Sequence, residues 1–177
     1  AAEPMITMEM METYQIQMSQ TIDPSIYQEN GETYLLFGNG YAAIAKLTPD
    51  MMHIVPETMK NLEGLYDFRE AVTVLKRDEI YHDTGSENYH VNYGTSDSLY
   101  GPVRVEKTIL QKDVQKGVLG TGHHSICKVP GKDAYWIAYH RFGTPLAQYP
   151  EGKGFHRETC VALLEFDEAG KMMEVIV

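Results

Sequence analysis

Two acidic residues of the sequence stand where a carboxylate could do chemistry. Asp23 directly precedes a proline in TIDPSIYQENGETYLLFG, and Glu70 heads the apolar run AVTVLK. An acid beside an apolar run is costly to bury unless it reaches a pocket or a partner. Each acid could therefore be held at a strand start, facing a pocket. The alternatives are an Asp-Pro turn for Asp23 and an exposed edge salt bridge for Glu70. Arg69 is not automatically the partner of Glu70, because neighbours on a strand point to opposite faces.

Histidine and arginine supply the other candidate groups. His123 and His124 follow a glycine turn in GTGHHS, and strand alternation puts only one of them inward. A neutral imidazole suits a metal ion or a hydrogen bond to a sugar hydroxyl, although an inward histidine can also be a core residue. Arg141 and Arg157 each follow a histidine, and their guanidinium forks suit carboxylates and vicinal hydroxyls.

The elements that must position these groups are short strands. Apolar runs of strand length recur between turns rich in glycine, proline and aspartate, which predicts an all-β sandwich, barrel or propeller. Short helices are predicted only near residues 57–62 and in the methionine-rich N-terminal stretch. The strands are predicted at 33–38, 41–47, 72–76, 89–95, 103–110, 124–129, 134–140, 160–166 and 172–177. The loop from Phe142 to Phe155 is long enough to suggest a functional role.

The composition and net charge limit the classes of partner that the protein is expected to bind. The 177 residues contain 15 Lys and Arg against 25 Asp and Glu, which gives a net charge of −10. This charge argues against nucleic acid, and no apolar stretch is long enough to span a membrane, whereas a neutral sugar is not disfavoured. The first residues do not resemble a signal peptide, and Cys127 and Cys160 are expected to be buried small residues, so the compartment, cytoplasmic or secreted, stays open.

Five segments, taken in order, resemble motifs of glycoside hydrolase family 43, which includes β-xylosidases, α-L-arabinofuranosidases and arabinanases. The resemblance extends from about Thr21 to the C-terminus. The segments are TIDPSIYQENGETYLLFGNGYAAIAKL, REAVTVLKR, YGTSDSLYGP, GTGHHS and AYHRF. The resemblance implies a β-propeller of the five-bladed type and an inverting glycosidase acting on arabinofuranosyl or xylosyl residues of plant polysaccharide oligosaccharides.

The resemblance also implies roles for single residues. Glu70 matches the general acid, with Glu63 in LEGLY as a rival, and Asp23 matches the Asp that orients that acid. His123 matches a histidine that binds substrate near the propeller axis and in many members helps to hold a hydrated metal ion, often calcium. Arg157 matches the substrate-binding arginine, with Arg141 as the second choice.

Two departures from the family pattern matter. No segment resembles the first blade, which supplies the general base. The segment RDEIYHDTGSENYHV is shorter than the family pattern after Arg77, so a strand there looks clipped or the segment reorganised. At about 45 residues a blade, 177 residues cover only the later blades of a propeller. We therefore expect residues 1–177 to form a partial β-propeller catalytic domain, with residues 1–20 irregular or at an edge. A second copy, another chain or upstream sequence would complete the propeller. The alternative is a non-catalytic carbohydrate-binding fragment that lacks the base.

Overall fold

The computed structural model describes residues 3–17, 20–65, 67–87, 89–144 and 156–177. Within these residues the chain is almost entirely β-structure, arranged as three antiparallel sheets that we call sheets I, II and III. An all-β fold, as the sequence predicts, is therefore confirmed. No helix in the described part of the chain is long and apolar enough to cross a membrane.

Sheet I follows a short N-terminal helix, α1 (Met8–Thr13), whose first turn is capped by the Thr7 side chain. The sheet has the strand order β1-β2-β3-β4. Its strands are β1 (Ser25–Glu29), β2 (Glu32–Phe37), β3 (Ala43–Lys46) and β4 (Lys60–Asn61), with a 3-10 turn at Pro56–Thr58 before the last. Asn30 and Gly31 make the tight β1–β2 turn with positive φ, as a two-residue hairpin loop requires.

Sheet II is a complete four-stranded sheet in the order β5-β6-β7-β8. Its strands are β5 (Glu70–Arg77), β6 (Ile80–Glu87), β7 (His90–Ser96) and β8 (Arg104–Leu110). The expectation of a clipped strand after Arg77 was wrong. A two-residue turn at Asp78 and Glu79, both with positive φ, starts β6 at once, so a short segment still holds a full strand.

Sheet III has the order β11-β10-β9, built from β9 (Gly122–Lys128), β10 (Tyr135–Phe142) and β11 (Arg157–Leu164). The expected strand at 172–177 was wrong, because only an isolated bridge joins Met172 to Phe166. Met172 and Val175 are nevertheless buried in the core between sheets II and III. The apolar pattern of residues 172–177 therefore indicates that the segment is buried, not that it pairs as a strand.

The three sheets pack in series through their first strands, with β1 against β5 and β5 against β9. One apolar core lies between sheets I and II and a second between sheets II and III. A third core on sheet I is covered by the N-terminal segment, including Met10 and Tyr14. Sheet III keeps one face exposed, on which Trp136 is paired across the strands with Leu163 and Cys127.

The expectation that both cysteines are buried was wrong for Cys127, which is exposed on that face, whereas Cys160 is half-buried. Alternation along β9 explains the difference, because Cys127 lies on the opposite face from Ile126, which packs against the core. Most of the Phe142–Phe155 loop lies outside the described residues.

Candidate active site

The first strands of the three sheets bring three of the predicted site residues together. Asp23 lies two residues before β1, Glu70 is the first residue of β5, and His123 is the second residue of β9. Because these strands pack side by side, their starts meet at one end of the sheets. Ligand atoms of the three side chains all lie within 4.8 Å of one another.

Unusual backbone conformations aim these side chains. Asp23 has φ 56°, Ala71 next to Glu70 has φ 58°, and His123 has φ 43°. Ala71 lies where the β5–β6 register slips, and His123 lies where the β9–β10 register slips, so each strand carries a β-bulge there. Bulges re-aim side chains, and strained left-handed residues concentrate at functional sites.

The imidazole of His123 stands between the two carboxylates. Its Nε2 is 3.8 Å from Asp23 Oδ1, and its Nδ1 is 3.6 Å from Glu70 Oε1. The three side chains differ in access to solvent: that of Asp23 is 17% exposed, that of Glu70 36% and that of His123 43%. The Glu70 side chain is therefore accessible to a ligand from solvent, whereas Asp23 lies deepest of the three side chains.

The second oxygen of Asp23, Oδ2, is buried and has no hydrogen-bond partner among the described residues. A buried carboxylate oxygen in this state is destabilising unless a proton, a ligand or an ion satisfies it. This orphaned oxygen distinguishes Asp23 from an ordinary Asp-Pro turn, in which the side chain bonds to its own backbone.

His124 plays a different part from its neighbour. The β9 bulge turns it into the core, where its Nε2 lies 2.7 Å from Thr84 Oγ1 and its Nδ1 has no partner in the described structure. Burial lowers the pKa of His124 to about 3, so the ring is neutral at ordinary pH. One histidine of the pair is thus a core residue and the other lies at the acid cluster.

Arg157 is connected to this cluster through His140, a residue that sequence reasoning did not single out. Arg157 Nη1 is 3.0 Å from His140 Nδ1 and 2.9 Å from Nε2, and the His140 ring stacks 6.3 Å from that of His123. Burial, followed by the charges of Arg157 and His123, holds the pKa of His140 below its usual value. The only sequence signal for His140 was its place before Arg141 in YHRF.

The two alternative residues lie elsewhere. Arg141 points to the opposite face of β10 from His140, and its Nε donates to Glu158 at 2.5 Å, directly across the strands. Glu63 is exposed in the turn after β4, and it belongs to no such cluster among the described residues. Neither Arg141 nor Glu63 is therefore a member of the cluster of Asp23, Glu70 and His123 in the described structure.

Comparison with known proteins gives the family. The sequence matches the profile of Glycosyl hydrolases family 43 over residues 7–172. It is 32% identical to the β-D-galactofuranosidase xynD of Aspergillus niger over 167 residues, which is 89% of this chain and 46% of that protein. The chain belongs to glycosyl hydrolases family 43, and it spans about half the length of this curated relative.

Solved structures show the same fold. A family 43 arabinoxylan arabinofuranohydrolase from Bacillus subtilis superposes with a TM-score of 0.79 at 21% identity, covering 99% of this chain and 40% of that one. An α-L-arabinofuranosidase from Clostridium thermocellum gives 0.74 at 20% identity, covering 98% and 58%. At these identities the likeness concerns the fold alone.

Proposed function

We propose that the protein is an inverting glycoside hydrolase that removes arabinofuranosyl or xylosyl residues from oligosaccharides, with Glu70 as the general acid. The observation that carries the proposal is the convergence of Asp23, Glu70 and His123 at one end of the sheets. Family membership supports the reaction class. The galactofuranosidase relative adds galactofuranosides to the substrates worth testing.

Glu70 is assigned as the acid because it is the more exposed of the two carboxyl groups. A protonated Glu70 would donate its proton to the glycosidic oxygen as the bond to the anomeric carbon breaks. Oxygens of Asp23 and Glu70 lie within 4.8 Å of each other, so Asp23 is placed to orient the acid.

Asp23 is too close to Glu70 to serve as the general base. An inverting pair is separated by about 6.5–9.5 Å, so that a water molecule fits between the base and the sugar. We propose that the base comes from polypeptide outside these 177 residues. That polypeptide would pack against the exposed face of sheet III and form the next blade of a five-bladed propeller. Light scattering after size exclusion tests association: a stable monomer at all concentrations would contradict completion by a second copy or chain.

Arg157 is assigned to bind substrate hydroxyls, because its guanidinium contacts His140, whose ring stacks on His123, while that of Arg141 is paired with Glu158. A calcium ion is a further proposal. The orphaned Asp23 Oδ2 fits a hard cation, whereas imidazole is a poor direct ligand, so His123 would reach the ion through water. The ion would supply positive charge to the site. Calorimetric titration with calcium chloride, repeated with Asp23→Asn, tests this.

The assay for the acid uses nitrophenyl α-L-arabinofuranoside, β-D-xyloside and β-D-galactofuranoside. We expect Glu70→Gln to lower kcat by at least about a hundredfold, because general acid catalysis contributes about 10²–10⁴. The loss should shrink with a dinitrophenyl leaving group, which needs no proton. Glu79→Gln is the matched control, since the Glu79 side chain is 91% exposed in the β5–β6 turn.

Full activity in Glu70→Gln would refute the assignment. Binding of oligosaccharide without turnover under every assembly condition would instead favour the carbohydrate-binding alternative.

A further inference from the structure

The guanidinium of Arg157 lies in a box formed by three rings, Tyr89, His140 and Phe142. Its central carbon is 5.5 Å from the centre of the Tyr89 ring and 5.1 Å from that of Phe142. The His140 ring lies within 3.0 Å of Arg157 Nη1. The three rings come from two distant parts of the sequence, since Tyr89 precedes β7 and the other two end β10.

Contacts with one another and with the neighbouring backbone position the rings of the Arg157 box. The rings of Tyr89 and Phe142 meet edge to face at 5.3 Å, and Phe142 lies so close to Gly120 that a β-carbon there would be 2.3 Å from the ring. The Thr121 hydroxyl donates to the Tyr89 carbonyl at 2.9 Å. The backbone around the box is therefore shaped to hold these rings.

The box is joined to the acid cluster through one side chain. His140 stacks on His123 with ring planes 29° apart, and His123 Nδ1 is 3.6 Å from Glu70. His140 is therefore in contact both with the guanidinium of Arg157 and with a member of the acid cluster. It is also the ring that can accept a hydrogen bond from the guanidinium.

We propose that His140 is a positioning residue, which fixes the Arg157 guanidinium in one orientation beside the acid cluster before substrate arrives. The proposal rests on the function proposed above. Arg157 is exposed at the start of β11, and a free arginine side chain loses considerable rotamer entropy when it binds a ligand. A guanidinium already held in place loses less, so the sugar hydroxyls bind more tightly.

Nuclear magnetic resonance of the arginine Nε–Hε groups tests the positioning itself. The Arg157 signal is identified by its disappearance in Arg157→Lys, and we expect it to be displaced by the ring currents of the box. His140→Ala should move it to the position of a solvent-exposed arginine, whereas His53→Ala should leave it unchanged. The His53 side chain is 74% exposed in the β3–β4 connection, which makes it a matched control. An Arg157 signal unaffected by His140→Ala would overturn the proposal.

Kinetic or binding measurements then test whether positioning of Arg157 by His140 strengthens substrate binding. We expect His140→Ala to raise KM about tenfold with kcat within about twofold, as suits the loss of a hydrogen bond to a charged group. His140→Gln should recover part of this, because the amide oxygen can accept from Arg157. The double variant His140→Ala/Arg157→Ala should be no weaker than Arg157→Ala alone. A merely structural role would give additive losses and a reduced active fraction with KM unchanged, and that result would overturn the proposal.

The failures of the two proposals are distinguishable. If the chain shows no turnover, the same variants are compared by the dissociation constant for arabinobiose or xylobiose. A displaced Arg157 signal without turnover or sugar binding refutes the enzymatic function and the proposed gain in affinity. Turnover with additive His140 and Arg157 losses refutes only the positioning role.

Discussion

Replacement of Asp83 by asparagine should stabilise the protein at neutral and alkaline pH but not at acid pH. Asp83 lies on β6 in the middle of sheet II and is 1% exposed. Its Oδ2 accepts a 3.1 Å hydrogen bond from the Ser96 hydroxyl, and its Oδ1 has no partner among the described residues. Burial raises the pKa of this carboxyl to about 7, and the Ser96 hydroxyl offsets the effect only in part.

The sign and the size of this pH-dependent change in stability follow from the linkage between protonation of Asp83 and folding. The pKa is raised in the folded state, so the protonated form is favoured there, and stability is lost as pH rises from the ordinary value of 3.8 to about 7. At 1.36 kcal/mol per pH unit, this loss amounts to about 4 kcal/mol. Asparagine carries no charge at any pH, so the loss should vanish in the variant. Its amide N–H would take the place of the unpartnered oxygen and cost about 1–3 kcal/mol at every pH.

The measurement is urea unfolding, followed by circular dichroism, of the parent and Asp83→Asn from pH 4 to pH 8. We expect the stability difference between the two to change by about 4 kcal/mol in favour of the variant across this range. Working with the difference cancels the other titrating groups, including the opposing effect of His124. Asp97→Asn is the control: Arg104 holds the pKa of that exposed carboxyl below its usual value, so any pH trend should have the opposite sign. A stability difference for Asp83→Asn that does not vary with pH would refute the reasoning.

Three further predictions follow from the described structure. Gly38→Ala should destabilise the protein by more than about 2 kcal/mol in urea unfolding, because φ is +126° and the new carbon would lie 2.2 Å from the Tyr41 carbonyl oxygen; wild-type stability would contradict this. His124→Gln should reduce acid sensitivity: burial lowers the pKa of His124 to about 3, so its contribution is present above about 6.5 and lost as pH falls towards 3. A parent and variant with parallel acid-unfolding curves would exclude that cause. Ile137→Ala should lower the free energy of unfolding by about 2–5 kcal/mol, since Ile137 is fully buried between sheets II and III, and a change below about 1 kcal/mol would show that the core collapses around the gap.

Much of the strand content could be predicted because short strands leave a local signal. The runs YLLF and VTVLK became β2 and β5, since β-branched and aromatic residues between turns have few alternatives to a strand. The strand β6 was missed because its composition, IYHDTGSE, is polar. It is a strand because β5 and β7 pair with it on both sides, and that pairing is not visible in its own sequence.

The candidate site, like the strands, could be predicted from the sequence only in part. Asp23, Glu70, His123 and Arg157 could be chosen from their motifs, but no spacing in the chain shows that three of them meet within 4.8 Å. The bulges that aim Glu70 and His123 are equally hidden, because their left-handed residues, Ala71 and His123, are not glycines. Residue type usually reveals such a conformation only when glycine is present.

The sequence by itself determined the residue types, the strand-forming pattern and the family to which the chain belongs. Only the tertiary structure decided that the starts of β1, β5 and β9 meet, that His124 is a core residue and His123 is not, and that His140 contacts both Arg157 and the ring of His123. The physical reason is that local preferences act over a few residues, whereas these contacts join residues 17 or more positions apart. Such contacts are fixed by the packing of whole sheets, in which each strand's burial depends on its neighbours.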